Sequence, residues 1–566
     1  MGDPASTNRS PTWISITYVC RRWRAVAIGF QDLWSTITPD LSPKWVLAFL
    51  KRSSNRSLHV HFNVGSLPEQ SFRSRVRLGK ERRSTTALPD KTINKILSHT
   101  PRIQQLQISG DGTDVIRILK SLDKQIPLVS LTIRVRDGYH HHSSLNDASF
   151  TIPQTFIGGS AHQLRHLHCL SGLHFTFPSW MLASISDLTV SMDFSPYRLF
   201  TVLRRMPQLG TLKVCSMRQY FHLFDHGITP VHLNSLSLLD LETNSLDLFI
   251  ALSTYLLLST SVRRHFNLNL SSASMGGSSW NKFLTSLKAI TSLIPSGVQG
   301  LQFKQQHEST CIRAWTMPAE SLPIGSPWPP LDDTFSLQVQ CAGFGCYCLH
   351  SSTVHEVSFH HLQDLCVSLG RETAKELSVE YHGEKNASKR FQLSHCCWRT
   401  LFSGLPKVTT LRFGDGAAHL LISASCGTAA SPMKLSRRNF PNLRKVQVTR
   451  GTLRTRTLSR WFQYVSAPPE NMNCRELRKH VQTLLMDQWS AGTPRGTTTD
   501  SLDVTEGLLI FLLHWRSKKI CVSELTLPEC ERDGLDALKL LEKLLRMLDW
   551  EVVLDARNVP RPRVIG

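Results

Sequence analysis

The chain has 566 residues, more than one compact core usually holds, so it forms either several domains or one extended repeat array. Hydrophobic residues at 41% and charged residues at 19% are typical of a folded chain and exclude a disordered one. The longest apolar runs, residues 45–50 and 508–513, are too short to cross a bilayer, so no membrane-spanning helix is predicted. Fourteen scattered cysteines predict reduced thiols in a cytoplasmic or nuclear protein.

The formal net charge of +22 is unevenly distributed. Residues 1–100 contain 16 Lys or Arg against 6 Asp or Glu, a net charge of +10. A field of this size favours acidic partners, such as nucleic acid, anionic lipid or an acidic protein surface, without distinguishing among them.

After a polar stretch over residues 1–12, which we predict to be disordered, an amphipathic helix is expected. Its apolar positions have helical spacing and share one face: Val19, Trp23, Val26, Ala27 and Phe30. Arg21, Arg22 and Arg24 fall elsewhere and give the helix a basic outer side. Leu33 and Trp34 start a second short turn, whose Trp is expected to pack back against the first helix.

The order Val19-Cys20-Arg21-Arg22-Trp23-Arg24, Ala27, Leu33-Trp34-Ser35 and Ile37 resembles the latter part of F-box-like domains in large fungal families. We therefore assign residues 13–40 to a partial F-box-like helical module. The resemblance implies an adaptor of a cullin-based (SCF-type) ubiquitin ligase, with Val19, Trp23, Val26, Leu33 and Trp34 as adaptor-binding or module-core residues. The Leu-Pro-x-Glu-Ile type segment that opens such domains is absent, so either the gene start is truncated or the adaptor contact has been lost.

Residues 41–69 join this module to the rest of the chain. Ser42 is a natural N-cap and Pro43 suits the first helical position, so a short helix is predicted over 44–52 with Val46, Phe49 and Leu50 inward. The alternation over 58–62 predicts a strand, with His59 and His61 on its exposed face.

Residues 70–89 form a basic segment that we predict to be flexible. Arg73, Arg75 and Arg77 begin a run of cations that could follow phosphates, although a disordered basic linker is favoured because aromatic stacking platforms are few.

From residue 90 to 566 a short unit repeats, in which a turn and an apolar residue precede Leu-x-apolar. The first leucines of such pairs lie at 188, 212 and 236, and at 106 and 131, spacings of 24 and 25 residues that match leucine-rich repeats. The fold class is therefore α/β: a short helical F-box-like module followed by an irregular leucine-rich-repeat-like solenoid of strand-helix units, with insertions. A helix spaced by Leu538, Leu541, Leu545 and Leu548 is expected to cap its end. A conventional parallel α/β domain is the competing architecture.

Catalytic and cofactor motifs are missing. Cys341, Cys346, Cys348 and His350 form a weak zinc candidate, but Cys-x-Cys spacing is awkward for a structural site and a strand with a turn explains it equally. No nucleophile elbow, phosphate-binding loop, kinase signature or paired-His metalloprotease helix occurs, and we predict no catalytic residues and no cofactor.

Three functions remain open. In the first, the chain is not an enzyme but a substrate receptor, which binds an SCF-type adaptor through its N-terminal module and an unknown protein substrate through the array. In the second, it binds nucleic acid or an anionic surface through the basic face that includes Arg21, Arg22 and Arg24. A structural repeat protein with a vestigial F-box is a third possibility.

Overall fold

The computed structural model divides into two compact units, Met1–Val262 and Arg263–Gly566. The residues it describes are 20–64, 89–122, 126–135, 149–152, 163–170, 174–177, 179–191, 196–216, 229–271, 278–306, 309–316, 335–342, 361–382, 402, 404–413, 440–448, 459, 461–463, 465, 476, 480–481, 483–484, 508–509, 512, 522–526, 534–547 and 553–555.

The first unit is a mixed α/β structure. Its helices are α1 (Arg21–Gly29), α2 (Pro43–Arg52), α3 (Asp90–Leu97), α4 (Gly112–Ser121), α5 (Ser179–Leu182), α6 (Pro196–Leu203) and α7 (Leu246–Tyr255), with 3-10 turns at Gln31–Trp34 and Thr100–Arg102. Its strands are β1 (Thr36–Ile37), β2 (Leu58–Asn63), β3 (Ile103–Gly110), β4 (Ser130–Val135), β5 (Ser149–Thr151), β6 (His166–Leu170), β7 (His174–Thr176), β8 (Asp187–Ser191), β9 (Thr211–Ser216), β10 (Val231–His232), β11 (Leu238–Thr243) and β12 (Leu256–Leu257).

The main sheet of this unit is entirely parallel, and its neighbours follow chain order. The pairings run β1–β2, β2–β3, β3–β4, β4–β6, β6–β8, β8–β9 and β9–β11. Two small parallel pairs, β5–β7 and β10–β12, accompany it. The main sheet therefore grows in one direction along the chain and does not reverse.

One face of this sheet is apolar because alternate side chains of every strand point to the same side. Residues that share a register position form a buried row: Val60, Leu106, Leu131, Leu167, Leu188, Leu212 and Leu239. Helix α4 packs here against β3 and β4, with Val115, Ile118 and Leu119 buried. The core is thus a layer between this face and the helices.

A recurring backbone arrangement marks the start of the strands. The carbonyl of Arg165 accepts the N–H groups of both Ser186 and Asp187, at 2.9 and 3.0 Å. The carbonyl of Gly210 likewise accepts from Ser237 and Leu238, at 2.7 and 3.1 Å. The hydroxyls of Ser186 and Ser237 donate to these same carbonyls, at 3.3 and 2.9 Å. Consecutive turns are therefore linked by two backbone amides and a serine hydroxyl.

The sequence periodicity predicts part of this layout correctly. Leu106, Leu131, Leu188 and Leu212 occupy equivalent buried positions, but the next equivalent residue is Leu239, because Leu236 precedes β11. Strand β6 was not predicted from the sequence, although its histidines alternate with apolar residues as they do in β2. The helix expected over 44–52 is confirmed as α2, with Val46, Phe49 and Leu50 buried. The Ser42 hydroxyl nevertheless makes no cap hydrogen bond.

The second unit combines parallel strands with an antiparallel insertion. Its strands are β13 (Arg263–Ser271), β14 (Gly300–Gln306), β15 (Ser309–Trp315), β16 (Phe335–Ala342), β17 (Glu376–His382), β18 (Thr410–Phe413), β19 (Lys445–Val448), β20 (Glu524–Thr526) and β21 (Val553–Asp555). Its helices are α8 (Ser278–Ser292), α9 (residues 361–368) and α10 (Gly534–Met547), with a 3-10 turn at Arg371–Thr373. In the expected capping helix, α10, Leu541 and Leu545 are buried, whereas Leu548 lies outside the described residues.

The pairing in this unit runs β13–β16–β15–β14–β17–β18–β19–β20–β21. Only the two pairings that involve β15 are antiparallel among those described. The indole of Trp315 lies against Gly300, where an added Cβ would overlap the ring. Only glycine therefore fits at position 300 without displacing the indole.

Both faces of this second sheet are partly buried. Besides the apolar face, several side chains that point the opposite way have little exposure: Trp315, Ser336, Glu376, Ser378 and Gln447. Glu376 lies 2.5 Å from Nε of Arg412. Burial raises the pKa of Glu376, and the nearby cations Arg412 and Lys445 oppose this shift without overcoming it.

Replacing an inward leucine should cost much more stability than replacing its outward neighbour. Leu188→Ala is expected to lower the free energy of unfolding by about 2–5 kcal/mol, because it leaves a cavity in the buried row. Thr189→Ala, one residue along and half-exposed, is the matched control. Urea denaturation followed by circular dichroism measures both, and equal midpoints would contradict the assigned register.

Glu376 should make stability depend on pH. Because its pKa in the folded protein lies above the ordinary value of 4.5, the folded state binds this proton more tightly than the unfolded chain. Its stabilising contribution is present below pH 4.5 and is lost as the pH rises through the folded pKa. We expect the stability of Glu376→Gln relative to the unsubstituted protein to increase from acidic to neutral pH in urea titrations. Glu524→Gln, at a more exposed partner of Lys445, is the control, and a decrease with pH would show that the Arg412 pair outweighs burial.

Candidate functional site

Helix α1 is short, and specific residues and hydrogen bonds mark where it begins and ends. The thiol of Cys20, at the N-cap, accepts a hydrogen bond from the Trp23 N–H at 3.5 Å. The helix ends at Gly29, a poor helix former, and the Phe30 N–H still donates to the Val26 carbonyl at 2.9 Å. A 3-10 turn follows at once, so that α1 and this turn form one compact pair.

Trp34 fixes this pair to the sheet and helices behind it. Its indole N–H donates to the Ala27 carbonyl at 2.7 Å, and its ring meets Phe49 of α2 edge-on at 5.1 Å. The guanidinium of Arg52 lies 4.2 Å from the centre of the same ring. Trp34 is fully buried and Ala27 nearly so. The expectation that this Trp packs back against the first helix is confirmed.

Most of the remaining apolar side chains of the pair face solvent. Trp23 is 54% exposed, Val26 57%, Phe30 54% and Leu33 40%. We call these four residues the α1 strip. The helix was expected to expose mainly its arginines, but it buries only Ala27, whose carbonyl accepts the Trp34 hydrogen bond.

The surroundings of the α1 strip are basic. Arg21, Arg22 and Arg24 are exposed on the same helix. Residues 20–64 contain seven Lys or Arg and two Asp, of which Asp32 pairs with Arg56 at 3.4 Å. An apolar strip with a cationic border suits a partner that offers an apolar groove with an acidic rim.

The open face of the first unit's sheet is a second candidate surface. Its outward side chains are half-buried or exposed, and most are polar: His59, Gln105, Ser130, His166, Asp187 and Thr211 in one row, and His61, Gln107, Thr132, His168, Thr189, Lys213 and Asp240 in the next. The prediction that His59 and His61 lie on a solvent-facing side of a strand is confirmed. Burial, with a smaller effect from the neighbouring histidine, lowers the pKa of both His61 and His168.

Charges on this face are largely paired. His166 Nδ1 lies 2.9 Å from Asp187 Oδ2, and Lys213 Nζ lies 3.3 Å from Asp240 Oδ2.

Within the part of the chain that the structure describes, Arg134 and Glu242 take part in no ion pair. Both belong to the outermost row, where Arg134 neighbours Ser109 and Glu242 neighbours Cys215. The field of Glu242 adds to burial in raising the pKa of the Cys215 thiol.

Several residues singled out in the sequence lie outside the described residues. These are Val19, Arg73, Arg75, Arg77, Cys346, Cys348 and His350, together with residues 1–12 and most of the basic segment 70–89. Cys341 belongs to β16. Among the residues that the structure places, no three His, Cys, Asp or Glu side chains gather closely enough to hold a metal.

Two contributions to the site were not foreseen from the sequence. One is the anchoring role of Ala27, a residue whose small side chain gives no sign of it. The other is the Arg52 guanidinium over Trp34, which depends on the packing of α2. A signal for the second existed in the helix spacing, since Phe49 and Arg52 are three residues apart and both reach the indole.

Comparison with known proteins gives no family: no protein-family model matches the chain, and no curated protein matches it. Within the described residues, none of the helices combines the length and apolar character required to span a membrane.

The two tryptophans of the pair should respond differently to truncation. Trp34→Ala removes a buried ring and the hydrogen bond to Ala27, and should lower the free energy of unfolding by about 3–5 kcal/mol. Trp23→Ala removes a half-exposed ring and should change it by no more than about 0.5 kcal/mol. Denaturant titration measures the free energy of unfolding of both variants. A large loss of stability for Trp23→Ala would mean that this ring belongs to the core.

Proposed function

We propose that this protein is an F-box-like interaction adaptor, a substrate receptor of a cullin-based, SCF-type ubiquitin ligase. The observation that carries the proposal is the α1 strip. Four large apolar side chains lie exposed together on a helical pair whose own anchor, Trp34, is already buried. Contiguous apolar exposure of this kind marks a protein-binding surface, because folding alone gives no reason for it.

The residue types on this surface also support a protein-binding role. Exposed aromatic rings beside arginines are enriched in protein interfaces, and the rings supply the buried area while the cations set partner and orientation. The strip is short, and the opening Leu-Pro-x-Glu-Ile type segment of F-box-like domains is absent. In this proposal the partner binds the α1 strip, which corresponds to the latter half of the motif.

We further propose that the strands of each unit belong to an irregular leucine-rich-repeat-like solenoid. The first unit supports this architecture, because its parallel strands pair in chain order and place one apolar residue each in a common register. A doubly wound α/β domain would reverse its strand order at a switch point, and the described strands of this unit do not. The second unit keeps parallel strands paired in chain order at β17–β21, at longer spacings, and carries the β14–β15–β16 insertion.

In this proposal the chain carries out no chemistry itself. It holds a substrate on the repeat units, while ubiquitin transfer is catalysed by the partner complex in the cytoplasm or nucleus.

The α1 strip should determine capture of the adaptor. In a pull-down with purified SCF-type adaptor protein, we expect the full chain to bind it, and the double variant Trp23→Ala, Val26→Ala to lose at least tenfold in affinity, since central apolar anchors dominate interface energies. Tyr197→Ala is the matched control, because Tyr197 is an equally exposed aromatic residue on α6.

Two results would count against the proposal. One is unchanged binding by the double variant. The other is failure of the unsubstituted chain to bind even when it is expressed with any in-frame segment encoded upstream of Met1.

A second candidate function is nucleic-acid binding by the same surface. The observation that favours it is the placement of half-exposed Trp23 and Phe30 beside Arg21, Arg22 and Arg24, because aromatic rings and cations together bind single strands. Retention of labelled RNA or single-stranded DNA at low salt, with a steep loss on adding salt and on Trp23→Ala, would establish it. No retention at low salt excludes it.

A further inference from the structure

The open face of the first unit's sheet is an unevenly charged surface. Its three acidic residues, Asp187, Asp240 and Glu242, all lie on β8 and β11. The histidines of β2 and the cation Arg134 of β4 lie toward the other side. The face is therefore dipolar across its strands.

Two charges on this face remain available to a partner. Asp187 and Asp240 are already paired with His166 and Lys213. Arg134 and Glu242, by contrast, form no ion pair among the described residues. They occupy the same outer edge of the sheet, and β6, β8 and β9 lie between their strands. Four inter-strand spacings of about 4.8 Å separate them by about 19 Å.

The residues between these two charges suit an extended chain. Leu170, Ser191 and Cys215 lie in the outer row. His168, Thr189 and Lys213 lie in the row beside it. Hydroxyl, amine and imidazole groups can bond peptide N–H and C=O groups, as an extended segment requires. An extended peptide advances about 3.3 Å per residue, so about six residues cover the distance.

We propose that this face binds an extended polar peptide laid across the strands, with an acidic residue over Arg134 and a basic residue about six positions away over Glu242. The inference rests on the proposed function, since it names the class of substrate segment that the receptor would hold. It uses none of the residues of the α1 strip.

The test selects peptides directly with the full-length chain in the absence of the adaptor. A displayed library of random peptides, long enough to span both charges, is enriched on the protein and sequenced. Enriched peptides should contain Asp or Glu and Lys or Arg about six residues apart. Affinities of the enriched peptides are then measured by fluorescence anisotropy.

Charge reversal supplies the decisive comparison. Arg134→Glu and Glu242→Lys should each weaken an enriched peptide about fivefold, as expected for exposed ion pairs. Reversing the facing charge in the peptide should restore the affinity. Lys120→Glu, on the exposed side of α4, is the matched control and should change nothing.

The inference is overturned if no peptide is enriched, if the enriched peptides lack this charge spacing, or if Arg134→Glu binds them unchanged. Its failure is distinguishable from failure of the adaptor proposal. The α1 strip variants should keep peptide binding, and the Arg134 and Glu242 variants should keep adaptor binding.

Discussion

The backbone N–H and C=O groups along each edge of a parallel strand form their hydrogen bonds with a neighbouring strand. In the first unit that neighbour is nearly always the strand that follows in the chain. This constraint organises everything else in that unit. It fixes the register, and the register places one apolar residue per strand in a common buried row. The turns before the strands are also bonded to one another. The carbonyls of Arg165 and Gly210 each accept hydrogen bonds from two amides and a hydroxyl of the following turn.

The two units use the opposite faces of their sheets differently. In the first, the outward side chains stay half-exposed and form rows of polar groups. In the second, Trp315, Glu376 and Gln447 on the corresponding side are buried. There the Arg313 guanidinium donates to the side-chain oxygens of Gln338 and Gln302 at 2.8 and 3.1 Å, so these three side chains bind one another. Recognition of a partner by strand side chains is therefore expected of the first unit.

The sequence predicted strand positions correctly where the spacing between inward leucines was regular. Leucine spacing predicted the strands around Leu106, Leu131, Leu188 and Leu212, because inward positions recur once per repeat. It misplaced Leu236, since a longer turn shifts the following strand by a few residues. It did not reveal the antiparallel pairing of β15, which depends on contacts between strands and not on any local pattern. At the candidate site, helical spacing identified the apolar face of α1 but not its exposure, because exposure depends on what lies opposite.

Helix α1 buries only Ala27, and the indole of Trp34 donates a hydrogen bond to the carbonyl of that residue. An element with so little buried area opens at a small fraction of the free energy of global unfolding. Its amides should therefore exchange with solvent far sooner than those of β3 or β8. A partner that covers the helix would slow that exchange, so hydrogen–deuterium exchange in this segment would report occupancy directly, without a label and without any change elsewhere in the chain.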